Sequence, residues 1–203
     1  LSRLLLSSRM ASCQGKMSIG HGLYTIADKN IFAPKPSKET KKVFSFLNEN
    51  FPFAKFCIYE GNIISPLQHH LSQNNIIYIE TNREAVETIF NLLKDNGKTV
   101  YLKPDKNLIY HYIDLGEQAF FIKPLISESP LQIIDDIPTP TIEKILVDIH
   151  KDNDFFYLQG SESNYIFENA FNLFIINETK LLRYASRRGI REEINSQLNL
   201  LKL

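Results

Sequence analysis

Residues 75–97 have the sequence NIIYIETNREAVETIFNLLKDNG, and this stretch decides the fold class. The nearly continuous apolar run over residues 75–80 predicts a buried strand, because strands covered on both faces lose the polar alternation. Asn82 is expected to cap the helix that follows, in which apolar residues keep helical spacing until Gly97 ends it. The stretch therefore predicts a strand followed directly by an amphipathic helix.

The elements around this pair extend it to a βαβα unit. A helix is expected over residues 38–50 and a strand over 55–59, and Ser65 followed by Pro66 predicts a helix that ends near Gln73. Three further strands are expected at Thr99 to Leu102, Leu108 to Ile113 and Ala119 to Pro124. The predicted fold is α/β, with a mixed sheet of about five strands that has antiparallel members on one side.

The last third of the chain is expected to be helical. Thr139 is predicted to cap its first helix and Pro140 to take the first position, with an apolar stripe formed by Ile142, Ile145, Leu146 and Ile149. Three more helices are expected at Tyr165 to Phe174, Glu178 to Arg188 and Arg191 to Leu201. Gly189 provides the stop signal for the third helix of this region.

The beginning of the chain is expected to be a separate small module over residues 1–36, followed by the α/β domain over residues 37–203. A short helix at residues 2–10 and a two-stranded ribbon at 16–26 have the order in which a winged helix-turn-helix ends. Pro34 and Pro36 mark the linker. The first residue is Leu and not Met, so we interpret this module as an incomplete winged helix of a longer protein.

The charge of the chain is divided between its two parts. Residues 1–44 hold eight Lys and Arg against two acidic residues, a net charge of +6, and the neutral total leaves −6 for residues 45–203. The basic segment predicts contact with an anionic polymer, and its candidate DNA-binding residues are Arg3, Arg9, Lys16 and His21. Two alternatives stay open: a solvated basic arm, and an organellar transit peptide, because residues 1–27 lack acidic residues.

Several classes of site are not indicated. Cys13 and Cys57 have no disulfide or zinc spacing, which suggests a reducing compartment and a cytoplasmic protein. No apolar run approaches the roughly 18 residues of a membrane span. His69 and His70 fall within a predicted helix, where neighbouring side chains diverge, so no metal is expected. Nucleotide and hydrolase motifs are absent, and we expect no cofactor and no enzyme activity.

One pair of carboxylates keeps an enzyme alternative open. Asp135 and Asp136 precede Pro138, and such a pair can hold Mg²⁺ if a third carboxylate converges on it. Glu143 is the candidate for that third ligand, in a nuclease or nucleotidyltransferase type of enzyme. An Asp-Asp pair is more often a turn, and convergence in a cleft would separate the two interpretations.

A cluster of basic residues near the C-terminus stands out from the acidic domain. Its members are Lys180, Arg183, Arg187, Arg188 and Arg191. Arginine suits carboxylate or phosphate, so the cluster could bind an acidic partner or nucleic acid; alternatively Arg183 or Arg187 pairs internally with Glu143 or Asp148. We expect Arg183 to point inward and Arg188 and Arg191 to point outward, with Arg187 undecided.

A resemblance covers residues 63–191. The matching segments are IET at 79–81, ISESPL at 126–131, PTIEKILVD at 140–148, QGSE at 159–162 and LRYASRRG at 182–189. They resemble a bacterial family related to the AbiEi antitoxins of type IV toxin–antitoxin systems, which function in phage defence.

The resemblance implies a transcriptional regulator with two activities. An N-terminal winged helix would bind promoter DNA, and a C-terminal domain would counteract a nucleotidyltransferase toxin encoded beside it. Residues 15–26 are similar to the wing of such proteins. Because two helices of a complete winged helix are missing, DNA binding by this chain should be weak or absent. Glu143, Lys144 and Asp148 of the matching helix are expected either to pack it or to take part in partner binding.

Overall fold

The computed structural model describes residues 14–18, 24–70 and 72–201, and gives only the backbone of residues 14–28 among these. Strands β1 (Gln14–Ser18) and β2 (Tyr24–Asp28) pair antiparallel, which confirms the predicted ribbon. Lys16 lies in β1. The predicted helix at residues 2–10, together with Arg3, Arg9 and His21, lies outside the described residues, so the DNA-binding assignment stays a prediction.

A mixed four-stranded sheet forms the centre of the α/β domain. Its strands are β3 (Phe56–Glu60), β4 (Ile77–Thr81), β5 (Val100–Leu102) and β6 (Phe120–Pro124). They lie in the order β3-β4-β6-β5, with β3 antiparallel to β4 and the other pairs parallel. The α/β class and the antiparallel member at one side are confirmed.

Helices cover both faces of this sheet, which explains the apolar strands. On one face lie α1 (Lys38–Asn50) and α2 (Val86–Asp95), which bury Leu47 and Ile89 against Ile79. The other face buries Tyr78 with the C-terminal helices. Because successive strand residues alternate, Glu80 shares the second face with Tyr78.

A hairpin that was not predicted precedes the C-terminal helices. Strands β7 (Leu131–Ile134) and β8 (Ile137–Pro140) pair antiparallel, and β8 packs against β3. Asp135 and Asp136 form its two-residue turn, with φ angles of 51° and 63°. Positive φ at both positions is the geometry of a type I′ hairpin turn, for which Asp is among the few tolerated residues. The turn interpretation of this pair is thus confirmed.

The C-terminal helices are placed nearly as predicted. They are α4 (Ile142–Lys151), α5 (Ser161–Leu173), α6 (Glu178–Arg188) and α7 (Arg191–Leu200). Gly189 ends α6 in the left-handed conformation, as expected. The predicted start of α4 is wrong, because Thr139 and Pro140 pair in β8 and Thr141 is the N-cap.

Two further predictions are wrong for local reasons. Residues 108–113 lie mostly in helix α3 (Lys106–Tyr112), because the Asp105 carboxylate accepts a hydrogen bond from the Leu108 amide and caps it. The helix predicted from Ser65 is a 3-10 helix, Gly61–Leu67, with Pro66 inside it. Among the described residues, no helix is long and apolar enough to cross a membrane.

Candidate functional site

Two opposite charges meet at the carboxyl end of the central sheet. Glu80 lies one residue before the end of β4, and Lys123 one residue before the end of β6, directly opposite it in the parallel register. Both strands are apolar up to these positions, so each charge stands at the point where the buried strand reaches the edge of the core. Neither residue was predicted to have a functional role.

Helix α4 supplies the next two charges. Lys144 and Asp148 are one helical turn apart, and the Lys144 Nζ donates to Asp148 Oδ2 at 2.5 Å and to Glu80 Oε1 at 2.7 Å. The Tyr59 hydroxyl also donates to Glu80 Oε1, at 3.2 Å, and the Tyr184 hydroxyl donates to Asp148 Oδ1 at 2.9 Å. Lys144 and Asp148 are therefore structural partners at the centre of the domain, and both are buried.

Arg188 of α6 and Asp152, which follows α4, complete the arrangement. One Arg188 nitrogen lies 3.8 Å from Asp148 Oδ1, while the other donates to Asp152 Oδ1. Asp152 Oδ2 accepts from the Lys123 Nζ at 2.9 Å, and that nitrogen is 3.8 Å from Glu80 Oε1. The six charges thus form a closed ring of alternating sign, which we call the charge ring. Its members in order are Glu80, Lys144, Asp148, Arg188, Asp152 and Lys123.

Burial and neighbouring charge shift the pKa values of several ring members, as Lys144 and Asp152 show. Burial would lower the pKa of the Lys144 ammonium, but Asp148 and Glu80 raise it well above its ordinary value. Burial likewise opposes the ionisation of Asp152, yet Lys123 and Arg188 bring its pKa below the ordinary value. The lysine is therefore held charged, as is the Asp152 carboxylate.

A cleft of about 320 Å³ opens beside the charge ring at the carboxyl ends of the parallel strands. Glu80, Lys123 and Asp154 contribute to its lining, and Asp154 accepts from the Lys123 Nζ at 2.6 Å. The second Glu80 oxygen, Oε2, is buried and has no hydrogen-bond partner among the described residues. Burying a carboxylate oxygen without a hydrogen-bond donor costs free energy. This oxygen is therefore able to accept a hydrogen bond from a ligand.

The basic cluster near the C-terminus is divided between this ring and the surface. Arg188 lies inward in the ring, whereas Arg183 is exposed, so the expectation for these two residues was reversed. Arg191 is exposed, as predicted. Arg187 donates from Nε to Ser127 Oγ at 2.9 Å. Arg183, Arg187 and Arg191 line a groove of about 620 Å³, which we call the arginine groove.

The carboxylates of the enzyme alternative occupy separate places. Asp135 accepts from Lys41 Nζ at 2.6 Å in the exposed hairpin turn. Glu143 is buried and accepts from the Asn177 amide at 2.9 Å, so it fixes the start of α6 to α4. Within the described parts of the chain, Asp135, Asp136 and Glu143 form no group whose ligand atoms could share one metal ion.

A family model matches residues 11–203, which is nearly the whole chain. Its description is a family of unknown function, DUF6577. The chain belongs to this family. No curated protein and no solved structure matches it.

One further group of side chains in this DUF6577 chain was not predicted. His69 Nδ1 lies 3.1 Å from His70 Nε2, and Oε1 of Glu162 accepts from the backbone amides of both histidines. Ligand atoms of the three residues lie within 4.8 Å of one another, close enough to hold a metal ion. The expectation that the two histidines diverge is wrong, because they follow a 3-10 helix instead of lying within an α-helix.

Proposed function

We propose that this chain is an antitoxin-like transcriptional regulator of a type IV toxin–antitoxin system. In this proposal the N-terminal segment contributes to promoter binding, and the α/β domain counteracts a nucleotidyltransferase toxin by binding and not by catalysis. Such a regulator would act in the cytoplasm. The resemblance of residues 63–191 to the AbiEi-related antitoxins supports the proposal. The main structural observation in its favour is the arginine groove.

The arginine groove has the features of a surface for an acidic partner. Arg183, Arg187 and Arg191 are exposed, and none makes an ion pair with another described residue. Arg183 and Arg187 are about one helical turn apart on α6, and Arg191, the first residue of α7, lines the same groove. Leu182, which is half buried, adds apolar area to the lining. Arginine beside apolar surface is typical of the centre of a protein–protein interface. A guanidinium group can also donate two parallel hydrogen bonds to one carboxylate.

Some residues of α4 and α6 that match the antitoxin-related family belong to the charge ring, so they are not part of the proposed partner surface. Arg188 belongs to the charge ring and Lys144 and Asp148 are buried, and none of the three lines the groove. The partner contact is therefore assigned to Arg183, Arg187 and Arg191 only.

A growth-rescue experiment tests the toxin-directed part of the proposal. The full-length protein should restore growth to cells that express the neighbouring toxin gene, whereas the Arg183→Glu, Arg187→Glu, Arg191→Glu variant should fail. A matched control reverses three exposed lysines outside the groove, at Lys55, Lys94 and Lys106. Full rescue by a folded groove variant would reject the arginine groove as the partner surface.

The DNA-directed part needs a separate measurement. The full-length protein should bind its promoter with an affinity that falls steeply with salt, because Lys and Arg displace counterions from phosphate. The Lys16→Glu variant should bind the same DNA more weakly and with a smaller salt dependence. Equal, tight binding by both would contradict the assignment of residues 1–36 to DNA binding.

A further inference from the structure

We propose that the cleft beside the charge ring binds a ribonucleoside monophosphate, with the phosphate at its rim and the nucleoside hydrogen-bond donors at its floor. The site is distinct from the arginine groove and from the proposed toxin contact. It would make the domain responsive to a small molecule.

Two unpaired cations at the rim provide for the phosphate. Arg83 lies in the turn between β4 and α2, and Lys103 directly follows β5; both side chains are exposed and line the cleft. Neither makes an ion pair among the described residues. The cations deeper in the cleft, Lys123 and Arg188, are already occupied by carboxylates of the charge ring. An anionic group is therefore expected at the rim.

The backbone at Lys103 adds a second observation. Its φ angle is 45°, in the left-handed region that residues with a side chain rarely adopt. The following residue is Pro104, and the Lys103 amide is held by the carbonyl of Ile122 at 2.9 Å. Strained backbone of this kind is concentrated at ligand sites, where it fixes the direction of a side chain.

The floor of the cleft requires a ligand with hydrogens to donate. Oε1 of Glu80 already accepts from Lys144 and Tyr59, whereas Oε2 has no partner, and the side chain is only 1 % exposed. A second acceptor stands nearby, because Asp154 also lines the cleft. Inorganic phosphate at neutral pH offers few donors. The hydroxyl and amino groups of a nucleoside supply them.

The size and walls of the cleft fit the same class of ligand. Its volume of about 320 Å³ lies in the range of small-molecule sites. Pro104, Pro124 and Ile126 provide apolar walls between the charged rim and the floor. The cleft lies at the carboxyl ends of β4, β5 and β6, which is the edge of open parallel sheets where ligands bind.

Isothermal titration calorimetry with the intact chain tests the proposal. The ligands are the four ribonucleoside 5′-monophosphates, the corresponding nucleosides and inorganic phosphate. At least one monophosphate should bind with a Kd below about 1 mM, and its nucleoside and inorganic phosphate should each bind at least about tenfold more weakly. The Arg83→Gln, Lys103→Gln variant should lose at least about tenfold in affinity, while Lys55→Gln, which changes an exposed lysine elsewhere, should bind as the original chain does.

Three results would overturn the proposal. The first is the absence of binding by any monophosphate, and the second is equal affinity of the rim variant and the original chain. The third is binding of inorganic phosphate or of a single-stranded oligonucleotide as tightly as the best monophosphate, which would assign the cleft to phosphate alone or to nucleic acid. Because the rim residues are exposed, the Arg83→Gln, Lys103→Gln variant should have an unchanged thermal unfolding temperature. A loss of binding by this variant then reports on the cleft and not on unfolding. The growth-rescue experiment does not depend on Arg83 or Lys103. A failure of the nucleotide proposal can therefore be told apart from a failure of the proposed antitoxin function.

Discussion

Lys144 donates a hydrogen bond from Nζ to Oε1 of Glu80 across 2.7 Å, and each side chain is only 1 % exposed. This contact joins the first turn of α4 to the carboxyl end of β4. Buried ion pairs are costly to desolvate, so they add little stability over an apolar pair of equal size, but loss of one partner strands the other charge. The main effect of the charge ring is therefore to fix the positions of α4 and α6 on the sheet. Its net contribution to the free energy of folding is small.

Replacing Lys144 by Met should destabilise the domain strongly. The substitution keeps the volume but leaves Glu80 and Asp148 without their shared ammonium, and removal of one partner of a buried pair costs about 3 to 5 kcal/mol. Urea unfolding followed by circular dichroism measures the change. Lys55→Met, at an exposed lysine, should change the free energy of unfolding by no more than about 0.5 kcal/mol. An equally small change in Lys144→Met would contradict the structural importance of the ring.

Stability should fall in acid partly through Asp152. Because Lys123 and Arg188 lower its pKa in the folded protein, Asp152 stabilises the fold above its unfolded pKa, near 3.9. That contribution is lost as the pH falls from there through the lower folded pKa. Between pH 6 and pH 3 the Asp152→Asn variant should lose less stability than the original chain, in urea unfolding at each pH. Exposed Asp95→Asn is the control and should keep the original pH dependence; identical curves for all three would reject the prediction.

Much of the fold follows from local patterns in the sequence. The bounds of α1 and α6 were predicted to the residue, since Ser37 and Asn177 are good caps and Gly189 is a clear stop signal. The errors arose where two signals compete. Residues 108–113 have the apolar content of a strand, but Asp105 caps a helix there, and Thr139 can be either a cap or a strand residue.

The charge ring was harder to predict, although part of its signal was present. Arg188 is seven residues after the buried Leu181, a spacing that places both on one face of α6, whereas Arg183 is on another. This spacing would have predicted correctly that Arg188 is the arginine that points inward. The pairing of Glu80 with Lys123 has no such local signal, because the two residues meet only through the register of β4 with β6. A single sequence does not contain that register.

Replacing Asp136 by Gly should stabilise the hairpin between β7 and β8. Asp136 has a φ of 63°, which costs a side-chain-bearing residue energy that glycine avoids. We expect the free energy of unfolding to rise by about 1 kcal/mol or less, because the added freedom of glycine in the unfolded chain offsets part of the gain. Thermal unfolding measures the change. A loss of stability would instead favour a role for the carboxylate.

The two arginines whose positions were reversed provide the last prediction. Arg188→Met leaves the buried Asp148 and the largely buried Asp152 without their guanidinium partner, so it should cost about 3 kcal/mol in urea unfolding. Arg183→Met removes an exposed side chain and should change stability by no more than about 0.5 kcal/mol. The two residues share one helix and one side-chain type, so each variant is the matched control of the other. Equal losses would mean that both arginines support the fold, and the surface assigned to the toxin would then shrink to Arg187 and Arg191. A loss confined to Arg188→Met leaves Arg183 free to contact a partner, which the growth-rescue experiment then tests without the complication of unfolding.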